Sequence, residues 1–429
     1  MRFTGALSMV VILVMGVAGC GSPQRLQVHA SHRAPVIVQP VRDRTTASVT
    51  SMRRDRSVPA PVHLNQLRRS NTWYNFHFSS ALTGYRWGGM DGHFSMQRTI
   101  DGGRHWRDIS LPAAYSSALA MRLQTGSPAP VVQVVDGESI YVLTTDCKQF
   151  TVLQADATGR HWRVHKFTLP RTELALESVS LVGGGEGWAL FRDASGTGTS
   201  YELVRFEMWQ PQMQVQHVAP ASRDAGLAGT TQATVKFCDP SHGWIVAIAA
   251  DGKLHDYLTA DGGATWHAST IVAPTSLTHF TCVRAYEPVM HEQEGTFVAR
   301  YLGTDAGHAV IRTVVYHTND GGLHLQSTVA EALDDATSDY MGDPVHWLDS
   351  DSGYAIQDSR LSVTNDSGRL WHSVPSPTLE TSLPRYPRVL AIQFLSETEG
   401  FVLLQSRDYS HTLLLKTVDG GTTWDRMRG

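Results

Sequence analysis

One eight-residue string recurs along this chain and limits what it can fold into. Thr99-Ile-Asp101-Gly-Gly103-Arg-His-Trp106 returns as Thr259-Ala-Asp261-Gly-Gly263-Ala-Thr-Trp266 and as Thr417-Val-Asp419-Gly-Gly421-Thr-Thr-Trp424. Weaker copies are Thr318-Asn-Asp320-Gly-Gly322-Leu-His-Leu325 and Thr364-Asn-Asp366-Ser-Gly368-Arg-Leu-Trp371. In a degenerate copy, Asp156-Ala-Thr-Gly159-Arg-His-Trp162, the aspartate is shifted by one. A repeated string requires a repeated supersecondary unit.

A second string precedes each copy: an alternating apolar run, a polar link, then Gly-aromatic. Examples are Phe76-His-Phe78 before Gly84-Tyr85, Val235-Lys-Phe237 before Gly243-Trp244, and Ile392-Gln-Phe394 before Gly400-Phe401. Thr278-His-Phe280 before Gly295-Thr-Phe297 fills the register less cleanly, and Val132-Gln-Val134 before Ile140-Tyr141 does so without glycine. Residues 71–429 thus divide into seven units of about 51 residues. The alternation within each unit predicts four short strands. In the first they fall near 73–78, 84–88, 94–99 and 105–109. In the third, 201–208 and 213–217 are outer strands without an Asp-Gly pair between them. The body shows no helical period. The expected fold is all-β, a single seven-bladed propeller of four-stranded antiparallel blades.

The turn string has a mechanical role. The aspartate accepts backbone N–H groups, as in an Asx-turn, and the second glycine takes a positive φ. The string resembles the Asp-box (BNR) repeat, Ser/Thr-x-Asp-x-Gly-x-x-Trp. The structural residues implied are Asp101, Gly103, Trp106, Asp261, Gly263, Trp266, Asp320, Gly322, Asp366, Gly368, Trp371, Asp419, Gly421 and Trp424. Asp-boxes occur in sialidases, xyloglucan-cleaving glycosidases, sortilin-type receptors and the photosystem II stability/assembly factor family. The unit His242-Gly243-Trp244-Ile245-Val246 followed by Thr259–Trp266 is most similar to the last. These motifs are structural, so the resemblance implies the fold and leaves the function to be argued from a site.

The N-terminus reads as an address. Met-Arg and an apolar run over 3–17 lead to Val17-Ala18-Gly19-Cys20. The run is shorter than the roughly 20 residues of a membrane span and fits a secretory signal. The cleavage end resembles the bacterial lipobox. That implies a signal peptide over 1–19, acylation of Cys20, and an extracytoplasmic chain anchored in the bacterial cell membrane. Residues 20–70 read as a tether: Pro-, Ser/Thr- and Arg-rich, without hydrophobic period. Residues 21–70 carry nine arginines against two aspartates, whereas residues 71–429 have a net charge of −12. The basic stem suits an anionic bilayer and equally a solvated spacer. The whole-chain charge of −4 offers nothing to nucleic acid.

The expected activity is binding of a protein or glycan at the rim or axial pocket, by a monomer without cofactor. An assembly or stability factor for envelope complexes is one form of this. The alternative is a secreted glycoside hydrolase, sialidase-like or xyloglucanase-like. A sialidase would need an arginine cluster, for which Arg86, Arg284 and Arg312 are available. A glycosidase needs two carboxylates across a cleft. Glu186, Asp239, Asp351 and Glu399 lie in the polar links before the Gly-aromatic pairs, where turn chemistry also explains them. With Arg86 and His242 they make up the rim candidates. One carboxylate per turn is too few for calcium, and His161/His165 are spaced along a strand too widely for one metal. No phosphate loop or nucleophile elbow is present. After Cys20, Cys147, Cys238 and Cys282 form an odd set. A Cys238–Cys282 bridge and free thiols both remain open. Residues 60–68 are a candidate latch for the last blade.

Overall fold

The computed structural model describes residues 72–427, apart from 91–92, 118, 120–129, 138, 147, 184, 194–199, 211–212, 217, 219–226, 292, 335–344 and 358. Cys20, Cys147, the tether and the 60–68 latch lie outside the described residues. The chain is all-β. Seven antiparallel sheets form the blades of one propeller, spanning 72–109, 131–168, 174–216, 230–271, 281–329, 346–374 and 388–426. Each sheet contains four strands in sequential order, and blade 5 adds a short fifth, Val289–His291. The first and third units fold as read, with Tyr201–Glu207 and Met213–Gln216 as outer strands of blade 3.

The inner strands are Thr72–Phe78, Val131–Val135, Leu174–Val182, Thr230–Phe237, Thr281–Ala285, His346–Trp347 and Arg388–Phe394. In blade 5 the strand begins at Thr281, past the expected Phe280, and Met290 takes the place opposite Gly295. A break over residues 286–288, which includes Pro288, interrupts the alternation there and shifts the apparent register. A six-residue helix, Pro377–Ser382, links blades 6 and 7 and buries Leu379. Fewer than two turns long, it is too brief to show a helical period.

Consecutive residues of a strand face opposite neighbouring blades, which is why both alternating sets are buried. Successive aromatic rings join blade to blade. Trp188 of blade 3 stacks on Phe237 of blade 4 with centroids 3.7 Å apart, and Phe237 meets Trp266 edge-on at 6.1 Å. Tyr354, Phe394 and Trp424 repeat this between blades 6 and 7. The strings identified in the sequence are therefore two halves of one interblade contact.

The glycine of each Gly-aromatic pair makes room for this packing. It stands opposite the last inner-strand residue or the one before it, as Gly243 does Phe237, Gly400 does Phe394 and Gly187 does Leu181. A Cβ on Gly243 or Gly400 would lie 2.5 Å from the ring opposite.

Among the described residues, side-chain hydrogen bonds between inner strands clamp five of the seven junctions. Gln133 Nε2 donates to Val179 O at 2.8 Å. Ser180 Oγ accepts from Phe237 N at 2.9 Å. Gln232 holds Ala285 through both its N–H and its carbonyl, at 3.0 and 2.6 Å. His346 Nε2 donates to Phe394 O at 3.0 Å, and Gln393 holds Phe78 N and O at 2.8 and 2.9 Å. The last of these closes the ring.

Candidate functional site

The turn string fixes one end of every blade that carries it. In blade 4 Thr259 Oγ1 accepts Gly263 N at 2.9 Å and donates to Asp261 Oδ1 at 2.8 Å. Asp261 accepts Thr265 N at 2.8 Å, and Trp266 Nε1 donates to Gly263 O at 3.0 Å. Both glycines have positive φ, +72° and +91°, not the second alone as the sequence suggested. In blade 6 Ser367 adopts φ 60° at the first position, where its N–H reaches Asp351 O at 3.0 Å. The first-position N–H always docks on the polar link of the same blade: Gly102 on Leu82 O, Gly262 on Ser241 O, Gly420 on Thr398 O, each at 2.8 Å. Turn strings and polar links therefore share one end of the propeller. The second-to-third-strand hairpins and the crossovers between blades occupy the other. In the degenerate copy the shifted Asp156 still accepts Thr158 N, at 2.9 Å.

The rim candidates take part in this scaffold. Asp239 accepts Ser241 N and His242 N at 2.6 and 2.8 Å, and pairs with His242 Nδ1 at 2.8 Å. Asp351 accepts Ser367 Oγ at 2.7 Å. Glu399 pairs with Lys416 Nζ at 2.6 Å. Glu186 pairs with Arg205, which also approaches Glu207. Arg86 is 4% exposed. Its guanidinium lies between the rings of Trp73 and Trp106, 4.4 and 4.2 Å from their centroids, and donates to Gln97 Oε1. Burial lowers its pKa to about 10, with Asp108 opposing the shift. Each candidate bonds within its own blade, and the four carboxylates belong to four different blades. Arg86, Arg284 and Arg312 do not converge either: Arg312 pairs with Asp334 at 2.8 Å and Asp305 at 3.1 Å.

A second group of charged residues, closer to the axis, is not apparent from the motifs. Glu177 is the bulged residue of the blade 3 inner strand, passed over between Ser178 and Leu176 in pairing. It is 4% exposed and accepts from Arg192 Nε at 3.3 Å. Burial pushes its carboxyl up, against the pull of Arg192 and of Arg284 from blade 5. Lys236 of blade 4 reaches Glu287 at 3.5 Å. In blade 5 Arg284 stands directly opposite Arg300, and both guanidinium groups lie over Tyr286, at 4.8 and 6.0 Å. The signal for this group was a charge inside an apolar inner-strand run, as in Leu174-Ala-Leu-Glu177-Ser-Val. Bulges make such positions hard to place, because each one shifts the alternation by a residue.

No family model matches the chain, and no curated protein sequence matches it. Solved structures do, at the level of fold. A puromycin-hydrolysing peptidase from Mycobacterium tuberculosis superimposes with a TM-score of 0.53 at 13% identity, covering 87% of this chain and 56% of its own. The polysaccharide lyase Uly1 gives 0.51 at 9% identity, covering 82% and 91%. A xyloglucanase from Xanthomonas campestris gives 0.34 at 13% identity, covering 80% and 62%. The chain thus spans about three-fifths of the xyloglucanase and of the peptidase. The seven-bladed β-propeller is the class that fold and neighbours define.

Proposed function

We propose that this chain is a non-catalytic Asp-box (BNR) propeller lipoprotein that binds a polysaccharide on the outside of a bacterial cell. The observation carrying this reading is the engagement of the rim carboxylates. Glu186, Asp239, Asp351 and Glu399 are each tied to a cation or to a turn in their own blade. Hydrolysis by paired carboxylates needs two of them across one sugar, roughly 5–10 Å apart. Glu177 and Arg284 lie instead toward the crossover end of their inner strands, away from the turns. The same fold serves a polysaccharide lyase and a peptidase, so it admits a sugar polymer, and the charged residues near the axis favour a polar ligand of that kind. The lipobox-like Cys20 supports the anchor, and the stem of residues 20–70 supports reach from the membrane.

Calorimetric titration of the full chain with neutral and acidic polysaccharides, with a reducing-end assay on the same mixtures, tests the activity. Binding without release of new ends is expected. Turnover that disappears in Glu186→Gln or Asp351→Asn would replace this reading with a glycosidase. Cys20→Ser should shift the chain from the membrane to the soluble fraction and abolish incorporation of labelled fatty acid.

A further inference from the structure

We propose that Arg284 and Arg300, with Tyr286, form a site for an oxyanion carried on a sugar, either a uronate carboxylate or a sulfate ester. The site lies beside the axis at the junction of blades 5 and 6. This deepens the polysaccharide reading and rests on it for the ligand class.

The first observation is the register. Arg284 and Arg300 are direct cross-strand partners, an arrangement in which like charges destabilise a sheet. The other arginines of blades 3 and 5 each have a carboxylate: Arg192 has Glu177, Arg205 has Glu186 and Arg312 has Asp334. Among the described residues, no carboxylate stands within ion-pair distance of Arg284 or Arg300.

The second is a surplus of donors. Arg284 Nε, Arg300 Nε and Nη2, and the Tyr286 hydroxyl are buried without a hydrogen-bond partner. Tyr286 itself is 4% exposed. Leaving such groups unpaired costs free energy, and burial strengthens their attraction for an anion. A guanidinium matches the two oxygens of a carboxylate or sulfate with two parallel N–H donors.

The third comes from comparing blades. Arg284 holds the position in blade 5 that Gln232 holds in blade 4. Each follows the bulged residue of its inner strand, Val283 or Thr231. Each stands opposite the fifth residue after the blade's glycine, Arg300 or Ile248. Gln232 clamps the next blade through Ala285. Arg284 makes no such clamp among the described residues. A position used elsewhere to join blades carries a charge here.

Glu177 sets the ligand apart from a bare ion. It lies near enough for Arg284 to act on its charge, and its Oε1 is buried with no donor. An acceptor beside the arginines suits a sugar hydroxyl adjacent to the anionic group.

The test is titration of the full chain with oligogalacturonate, dextran sulfate and uncharged dextran, alongside thermal unfolding in sodium sulfate. Salt-sensitive binding of at least one charged polymer is expected, weakened about tenfold or more in Arg284→Gln and Arg300→Gln, as for loss of a charge-assisted bond. Arg104→Gln, on an exposed turn, should bind as the wild type does. The melting temperature of the two site variants should hold or rise, because a like-charge pair is removed. Undiminished binding by both variants would overturn the site. So would a lower melting temperature in both, together with no response of the wild type to any anion, since the arginines would then be structural. Binding of uncharged dextran as tight as that of the charged polymers, with all three unaffected by the substitutions, would sink the anion site and leave the polysaccharide reading intact. Stabilisation by sulfate that depends on Arg284, with no polymer bound, would keep the anion pocket and sink the sugar.

Discussion

Phe78 and Phe401 stack with centroids 3.7 Å apart and planes 7° from parallel, joining the first blade to the last across 323 residues of chain. The contact matches Trp188 on Phe237 and Tyr354 on Phe394 in distance and angle. Closure of the ring therefore uses the same joint as the junctions of blades 3 and 4 and of blades 6 and 7. Phe401→Ala should cost about 3–5 kcal/mol, typical of removing a buried aromatic ring, and Trp188→Ala a similar amount. Denaturant midpoints of the two variants provide the comparison. A much smaller shift for Phe401→Ala would mean that something else, such as residues 60–68, holds the ring shut.

Gly243→Ala should destabilise by roughly 1–3 kcal/mol, as overpacking does. The added methyl meets the Phe237 ring at 2.5 Å. The backbone there is ordinary strand, so the penalty is steric. It should shrink when the ring is removed first, in the Phe237→Leu background. Equal penalties in both backgrounds would show that the ring is not the obstacle.

The turn aspartates predict sensitivity to acid. Asp261 is held to about 2, first by the Thr265 hydroxyl, and Asp320 to about 2, first by the His324 N–H. A carboxyl with a lowered folded-state pKa contributes stability that is present above its ordinary value near 4. That contribution is lost as the pH falls from there through about 2. Asp261→Asn should flatten the fall of melting temperature between pH 4 and pH 2. An unchanged slope would deny the turns this role.

Two histidines predict an earlier step. Burial lowers His77 to about 4, assisted by the charge of His346, and lowers His346 to about 4 as well. The unfolded chain takes up these protons below pH 6.5 and the folded chain only near 4, so stability declines as the pH falls between those values. His77→Gln should reduce that decline while leaving the slope below pH 4 unchanged. Melting curves at half-unit pH intervals separate the two ranges.

Cys238 is exposed and Cys282 buried, and both are free. Burial pushes the Cys282 thiol up to about 12. Iodoacetamide should label Cys238 in the native protein and Cys282 only after unfolding, as read by peptide mass mapping. A Cys238–Cys282 disulfide peptide would contradict this.

The fold was legible because its two strings mark contacts that recur at fixed spacing. Asp261, Gly263 and Trp266 close a turn, while Gly243 and Phe237 fit one ring against a bare backbone. Blade 3 was recoverable from alternation after its turn string had gone. Blade 5 was misplaced near Phe280, because the break over residues 286–288 interrupts the alternation. The rim candidates were found by position, but position could not say that Glu186 meets Arg205 or that Arg86 lies between two tryptophans. The facing of Arg284 and Arg300 was hidden for a physical reason: a bulge at Val283 changes which residue stands opposite which.

Among the described residues every blade is cut from one uninterrupted segment of chain, and no strand is traded between the first and the last. The coding unit and the mechanical unit therefore coincide. Duplicating or deleting one such segment changes the number of blades without leaving an orphaned strand. Similarly, new ends placed in any crossover would leave all seven sheets whole. Descent by copying single blades is open to this architecture, and a blade that does not clamp its neighbour at a given position can carry a different residue there, as blade 5 carries Arg284 where blade 4 carries Gln232.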